Sequence, residues 1–150
     1  MKSVKLEDIL SMWKEDAQVD TVDLDSESLN IPNLHAKWLN ILSKERLKLR
    51  SLNQKKKKLS KVLAEYYRGD LNNPEDLAEI NREPYLKTVL KSDINYYVDA
   101  DSDMIDLNLR ISLQQEIVDV LEEILKAVNG RNWILKNALD WRRLTNFGDL

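Results

Sequence analysis

Cysteine is absent from the chain, so a disulfide, a thiolate metal site and a thiol nucleophile are all excluded. The single histidine, His35, finds no second histidine with which to build a metal site or a nucleophile pair, and reads as a partly packed or solvent-facing residue. The three glycines, Gly69, Gly130 and Gly148, stand far apart, so neither a phosphate-cradling loop nor a dinucleotide fingerprint can be assembled. No apolar run is long enough to span a bilayer, and "MKSVKLEDILSMWKEDAQ" lacks the apolar stretch and small-residue cleavage site of a secretory signal. The acidic cluster "DADSDMID" places Asp99, Asp101 and Asp103 at the alternate spacing that begins a calcium loop, but Met104 stands where the turn glycine is needed and Arg110 where a bidentate Glu is needed. The bland reading of these acids is helix capping by Asp103, with Asp106 in the first turn. The expectation is a soluble intracellular protein without membrane segment, metal, cofactor or catalytic centre: not an enzyme.

What the chain has is charge, unevenly distributed. Its net charge of -3 conceals acidic arms at residues 1–30 and 69–110 on either side of a basic stretch. Between residues 44 and 68, Lys44, Arg46, Lys48, Arg50, Lys55, Lys56, Lys57, Lys58, Lys61 and Arg68 face only Glu45 and Glu65.

The pattern along the chain is helical, and no segment reads as a strand. Residues 1–30 form an acidic arm with a short helix at "KLEDILSMWKED". Asn30 before Ile31 and Pro32 reads as a helix start, and no further Gly or Pro occurs before Gly69, which predicts a long basic helix over 31–68 of roughly ten turns. Ile31, Trp38, Leu52, Leu59 and Tyr66 share one seven-residue register, flanked by Leu34, Leu42, Leu49 and Leu63 and broken at Glu45. Residues 69–102 read as a solvated acidic connector holding one or two short helical pieces. Residues 103–150 form a helical C-terminal region. Ile105, Leu109, Leu113, Ile117, Leu121 and Ile124 mark one apolar face of a second long helix, Asn129 and Gly130 end it, and a shorter helix carries Trp133, Ile134, Ala138 and Trp141. The fold expectation is a single all-α domain: two long amphipathic helices with shorter N- and C-terminal ones.

A charged helix face is most often merely solvated. Here, however, like charges three and four residues apart repel with little to offset them. Arg46, Arg50, Lys57, Lys61 and Arg68 form one stripe, Lys44, Lys48, Lys55 and Lys58 another, and Tyr66 and Tyr67 close the run. Such a surface matches a phosphate backbone with unpaired bases that stack on rings, and no sequence-reading module accompanies it. Two readings follow: a sequence-indifferent nucleic-acid binder, or a helical adaptor whose basic helix docks an acidic protein partner.

Four short elements then stand in a telling order. Lys37, Trp38, Leu39 and Asn40 ("KWLN") are followed by the basic segment with its Tyr66–Tyr67 pair, by Lys87, Thr88, Val89 and Leu90 ("KTVL"), and by Arg131, Trp133, Lys136, Asp140 and Arg142. From about residue 36 onward this resembles the UvsY recombination mediators of large tailed phages. The resemblance implies a protein of the host cytoplasm that binds single-stranded DNA and loads a UvsX-type recombinase onto strands coated by the phage single-strand-binding protein, in recombination, replication and repair. It implies contacts from a basic motif before the Tyr pair. Lys61 matches the motif's Lys, while Leu63 stands where the family has Arg, so the strand-binding set is taken as Arg50, Lys55, Lys56, Lys57, Lys58, Lys61, Tyr67 and Arg68. It also implies a homo-oligomeric ring assembled through the C-terminal helix, where Trp133, Ile134, Ala138, Trp141 and Phe147 are the candidate contacts.

Overall fold

In the computed structural model, which describes residues 4–148 and the side chains of residues 4–146, all regular structure is helical. The elements are α1 (Leu6–Asp16), α2 (Leu24–Arg68), α3 (Pro74–Glu79), a 3-10 turn (Lys91–Asp93), α4 (Ile94–Ala100) and α5 (Ser102–Gly148). Helix α2 starts at Leu24, about two turns before the expected start at Ile31. The carboxylate of Asp23 accepts hydrogen bonds from the Ser26 N–H (3.2 Å) and hydroxyl (2.8 Å), which caps the helix at Leu24 and lowers the Asp23 pKa. Pro32 consequently lies inside α2 and removes one backbone hydrogen bond rather than opening the helix.

The chain divides into two compact units, residues 1–46 with 116–150 and residues 47–115. In the first, α1 and the leading part of α2 pack with the trailing part of α5. Arg46 pairs with Glu122 at 2.9 Å and Arg131 approaches Glu27 at 3.9 Å, so these stretches of α2 and α5 run in opposite directions. The core holds Ile9, Ile31, Leu34, Trp38, Leu42, Ile117, Val118, Leu121, Ile124 and Val128. The seam expected to break at Glu45 stays packed there: Glu45 is 1% exposed, and among the described residues no buried side-chain nitrogen or oxygen lacks a partner.

Asp16 ties this unit together. Its carboxylate accepts from Lys37 Nζ at 2.6 Å and from Trp38 Nε1 at 3.0 Å, while its backbone carbonyl accepts from the buried Arg131 guanidinium at 2.6 Å. The Trp13 ring meets Trp38 edge-on and lies under Arg131. This anchoring accounts for a second correction. Asn129 and Gly130 do not end a helix, because α5 runs unbroken to Gly148 and the buried Arg131 fixes the residue that follows Gly130.

In the second unit, Leu63 of α2 packs with Ile94 and Val98 of α4 and Met104 of α5, bordered by Leu59, Ala64, Tyr67 and Val89. Here α5 is rotated relative to the expected face. Met104 and Leu107 are buried, whereas Ile105, Leu109 and Leu113 point to solvent. The apolar residues of this stretch make two stripes on one helix, and spacing alone could not say which stripe the core would take. The helix cap also shifts. Asp101, not Asp103, precedes the first turn and accepts the Asp103 N–H at 2.9 Å.

Candidate nucleic-acid interface

The basic stretch of the second unit is a continuous helix, so its charges fall where 100° per residue places them. Arg50, Lys55, Lys56, Lys57, Lys58 and Lys61 are all exposed, and among the described residues none of the six is in an ion pair. Arg68, at the end of the run, lies 3.5 Å from Asp70. Lys56 shares the register of Leu42, Leu49 and Leu63, yet it stays exposed. Residues 50–61 contain no Asp or Glu, so no acid interrupts the helix surface from Arg50 to Lys61. These twelve positions span about 17 Å of axis at 1.5 Å per residue.

Leu63, where the family motif has Arg, is 1% exposed and central to the core. An arginine there would bury its charge among Ile94, Val98 and Met104, so the exposed charge of this part of α2 lies upstream, in the lysine run.

Tyr67 sits differently from an open stacking ring. Its hydroxyl donates to Asp101 Oδ2 at 2.6 Å, and its ring meets Tyr66, Tyr85 and Tyr97 with centroids 5.2, 5.0 and 5.6 Å away. Burial and the hydrogen bond to Asp101 push the Tyr67 hydroxyl pKa up to about 12. Tyr66 is fixed as well, donating to the Glu83 carbonyl at 2.9 Å beneath the Arg82 guanidinium.

The clamp that fixes both rings was invisible in the sequence. Arg82 donates to both Asp101 oxygens at 2.6 and 2.7 Å and to Asp103 at 2.8 Å. Burial acts to raise the Asp101 pKa, but hydrogen bonds from Arg82, Tyr67 and the Asp103 N–H outweigh it and hold the carboxyl at about 2. The bonds from Arg82 to the Asp101 and Asp103 carboxylates raise the Arg82 pKa in turn. No local signal links these residues, since Arg82 is 19 positions from Asp101 and Tyr67 is 34. The network pins the connector to the end of the basic helix, where the sequence alone had left it solvated.

The residues assigned to oligomerisation lie in the first unit. Trp133, Ile134 and Trp141 are 67%, 59% and 70% exposed, and Ala138 is half-buried. The Phe147 side chain lies outside the described residues. Among the described residues there is no cluster of His, Cys, Asp or Glu able to hold a metal ion, and no helix long and apolar enough to cross a membrane.

Comparison with known proteins identifies the family and the fold. Residues 12–148 match the profile of the family described as recombination, repair and ssDNA binding protein UvsY. The recombination protein uvsY of Enterobacteria phage T4 is 26% identical over 139 residues, covering 93% of this chain and 96% of the T4 protein. Two crystal structures of the bacteriophage T4 recombination mediator protein UvsY share the fold. Lattice type II has a TM-score of 0.82 at 24% identity and covers 96% of this chain and 99% of its own. Lattice type IV has a TM-score of 0.82 at 23% identity, with coverages of 94% and 99%.

Proposed function

The chain belongs to the UvsY family, and on that premise we propose that it is a recombination mediator. In this reading it binds single-stranded DNA without sequence specificity and helps load a UvsX-type recombinase onto strands coated by the phage single-strand-binding protein, in the host cytoplasm. The observation that carries the reading is the set of six exposed cations from Arg50 to Lys61 on one helix, none of them in an ion pair among the described residues. Lysines suit this task because neutralising a phosphate needs charge at modest density and no fixed base-edge geometry.

The mechanism follows from charge and repetition. Arg50, Lys55, Lys56, Lys57, Lys58 and Lys61 neutralise successive phosphates of one strand, with Arg68 extending the track once it leaves Asp70. Tyr67 serves this surface by holding the helix end to the connector. A single helix of this kind binds weakly. A homo-oligomeric ring would repeat it, and binding of the second and later copies would then be intramolecular. The strand so held is kept in a conformation that loosens the single-strand-binding protein, and the recombinase nucleates there. Apolar surface suited to such assembly is present in each unit: Trp133, Ile134 and Trp141 in one, Ile105, Leu109 and Leu113 in the other.

The test is fluorescence anisotropy of a labelled mixed-sequence single strand across a salt series, with a duplex of the same sequence alongside. The expected result is preference for the single strand and a slope of log affinity against log salt near -0.7 per phosphate neutralised, about -4 for six contacts per subunit. Charge reversal at Lys57, Lys58 and Lys61 should abolish binding and leave the helical circular dichroism intact. Absence of binding by the parent protein at low salt would overturn the reading and turn the lysine helix into a docking face for an acidic protein.

A further inference from the structure

Cations alone do not distinguish a single strand from a duplex, because both present phosphates and both release counterions when these are neutralised. Choosing the single strand takes a group that meets what pairing hides, the face or the hydrogen-bonding edge of a base. No ring is placed for this on the lysine face. Tyr67 is tied to Asp101 and Tyr66 to the Glu83 carbonyl. Tyr96 is 73% exposed, but it lies on the side of α4 opposite Ile94 and Val98, which pack on Leu63. The contact must come from α2 itself.

At 100° per residue, Arg50, Lys57 and Lys61 fall on one line along α2, about half a turn around the axis from Leu59 and Leu63 at the core. Arg50 and Lys57 are about 10.5 Å apart along that line. Two exposed side chains occupy the gap, Asn53 and Gln54, one on either side of the line and within about 50° of it. Ser51, Leu52, Lys55 and Lys56 lie further round the helix. The uncharged stretch of the cation line thus bears two carboxamides, and among the described residues neither of them has a hydrogen-bond partner.

A carboxamide carries two donor hydrogens and an acceptor oxygen, and no charge. The pairing edge of each of the four bases also offers at least one donor and one acceptor. An amide on a free side chain can turn either group toward it, so the contact accepts any base. In a duplex those edges are taken by the opposite strand. We infer that Asn53 and Gln54 bond the exposed base edge of the nucleotide carried between the phosphates on Arg50 and Lys57. This contact rests on the strand-binding reading above and deepens it: the cations supply affinity, and the two amides supply the preference for an unpaired strand. The base contact that the sequence pattern gave to Tyr67 passes to Asn53 and Gln54.

The experiment measures anisotropy with three probes of equal length for the parent and for the double variant Asn53→Ala with Gln54→Ala. The probes are a mixed-sequence single strand, its duplex, and an abasic strand with the same phosphates and no bases. The parent should prefer the strand with bases to the abasic one by about fivefold for each amide engaged. The double variant should lose that preference and most of the preference over duplex, with abasic-strand affinity and salt slope unchanged, because no charge has been removed. Alanine favours helix at exposed positions, so parental circular dichroism is expected. A parental base preference in the double variant, or equal affinity of the parent for the two single strands, would overturn the inference and leave the lysine track standing. An equal loss on both single strands would mean that the amides bond phosphates, and would overturn it too. Failure of the parent to bind any probe would overturn both readings.

Discussion

The Asp101 carboxylate receives three donors at once, the Arg82 guanidinium, the Tyr67 hydroxyl and the Asp103 N–H, and its side chain is only 3% exposed. Removing one partner of such a pair leaves a buried charge without compensation, which typically costs about 3–5 kcal/mol. Arg82→Ala should accordingly lower stability by about 3 kcal/mol in urea unfolding, whereas loss of the exposed Lys126–Glu123 pair should be near neutral. The pH dependence follows from the same bonds. Asp101 is held at about 2, below the roughly 3.9 of an unfolded chain, so its contribution is complete above about pH 4 and is lost as pH falls toward 2. Tyr67 is raised to about 12, so its contribution is complete below about pH 10 and is lost as pH rises toward 12. Urea midpoints across the acid range should fall steeply for the parent and less so for Asp101→Asn. Parallel curves would show that the clamp carries no pH-dependent stability.

At the scale of elements, two glycines have opposite roles. Gly69 ends α2 with φ at 82°, in the left-handed region where a side chain is strained. Gly130 lies inside α5 without a positive φ, and a Cβ built there meets nothing within 4 Å. Gly130→Ala should therefore stabilise the protein by about 0.5–1 kcal/mol, and Gly69→Ala should destabilise it by about 1 kcal/mol. Thermal melts read both, and a drop in melting temperature for Gly130→Ala would mean that the helix does bend there. The identity of the residue was the same signal in both cases. What differs is that Gly69 is followed by a turn, whereas Gly130 is followed by an arginine whose side chain is locked to the Asp16 carbonyl.

At the scale of the whole molecule, the exposed apolar side chains ask for a partner. Trp133, Ile134, Trp141 and Leu144 are each more than half exposed, and so are Leu109 and Leu113. If the assembly is a homo-oligomer built through α5, Trp133→Ser with Trp141→Ser should lower the mass in sedimentation velocity while leaving helix content unchanged, since neither ring is buried within the chain. Multivalency then predicts that the smaller species binds a long single strand more weakly, although each subunit retains its lysines. An unchanged mass would place the contacts elsewhere.

By itself the sequence determined that the protein is helical, that its positive charge collects on one long helix, and which family it resembles. Each of these is a matter of periodicity, local composition or motif order, and needs no knowledge of what touches what. The four quoted motifs were legible as sequence, but their work was not. Lys37 and Trp38 meet Arg131 at Asp16, and Val89 borders the core around Leu63. Only the tertiary structure decided that α5 continues through Gly130, that Leu109 and Leu113 face outward, and that Tyr67 is held while Tyr96 is displayed. Each of those outcomes depends on partners far away in the chain, where a buried arginine or a shared carboxylate outweighs the local propensity that sequence reading relies on.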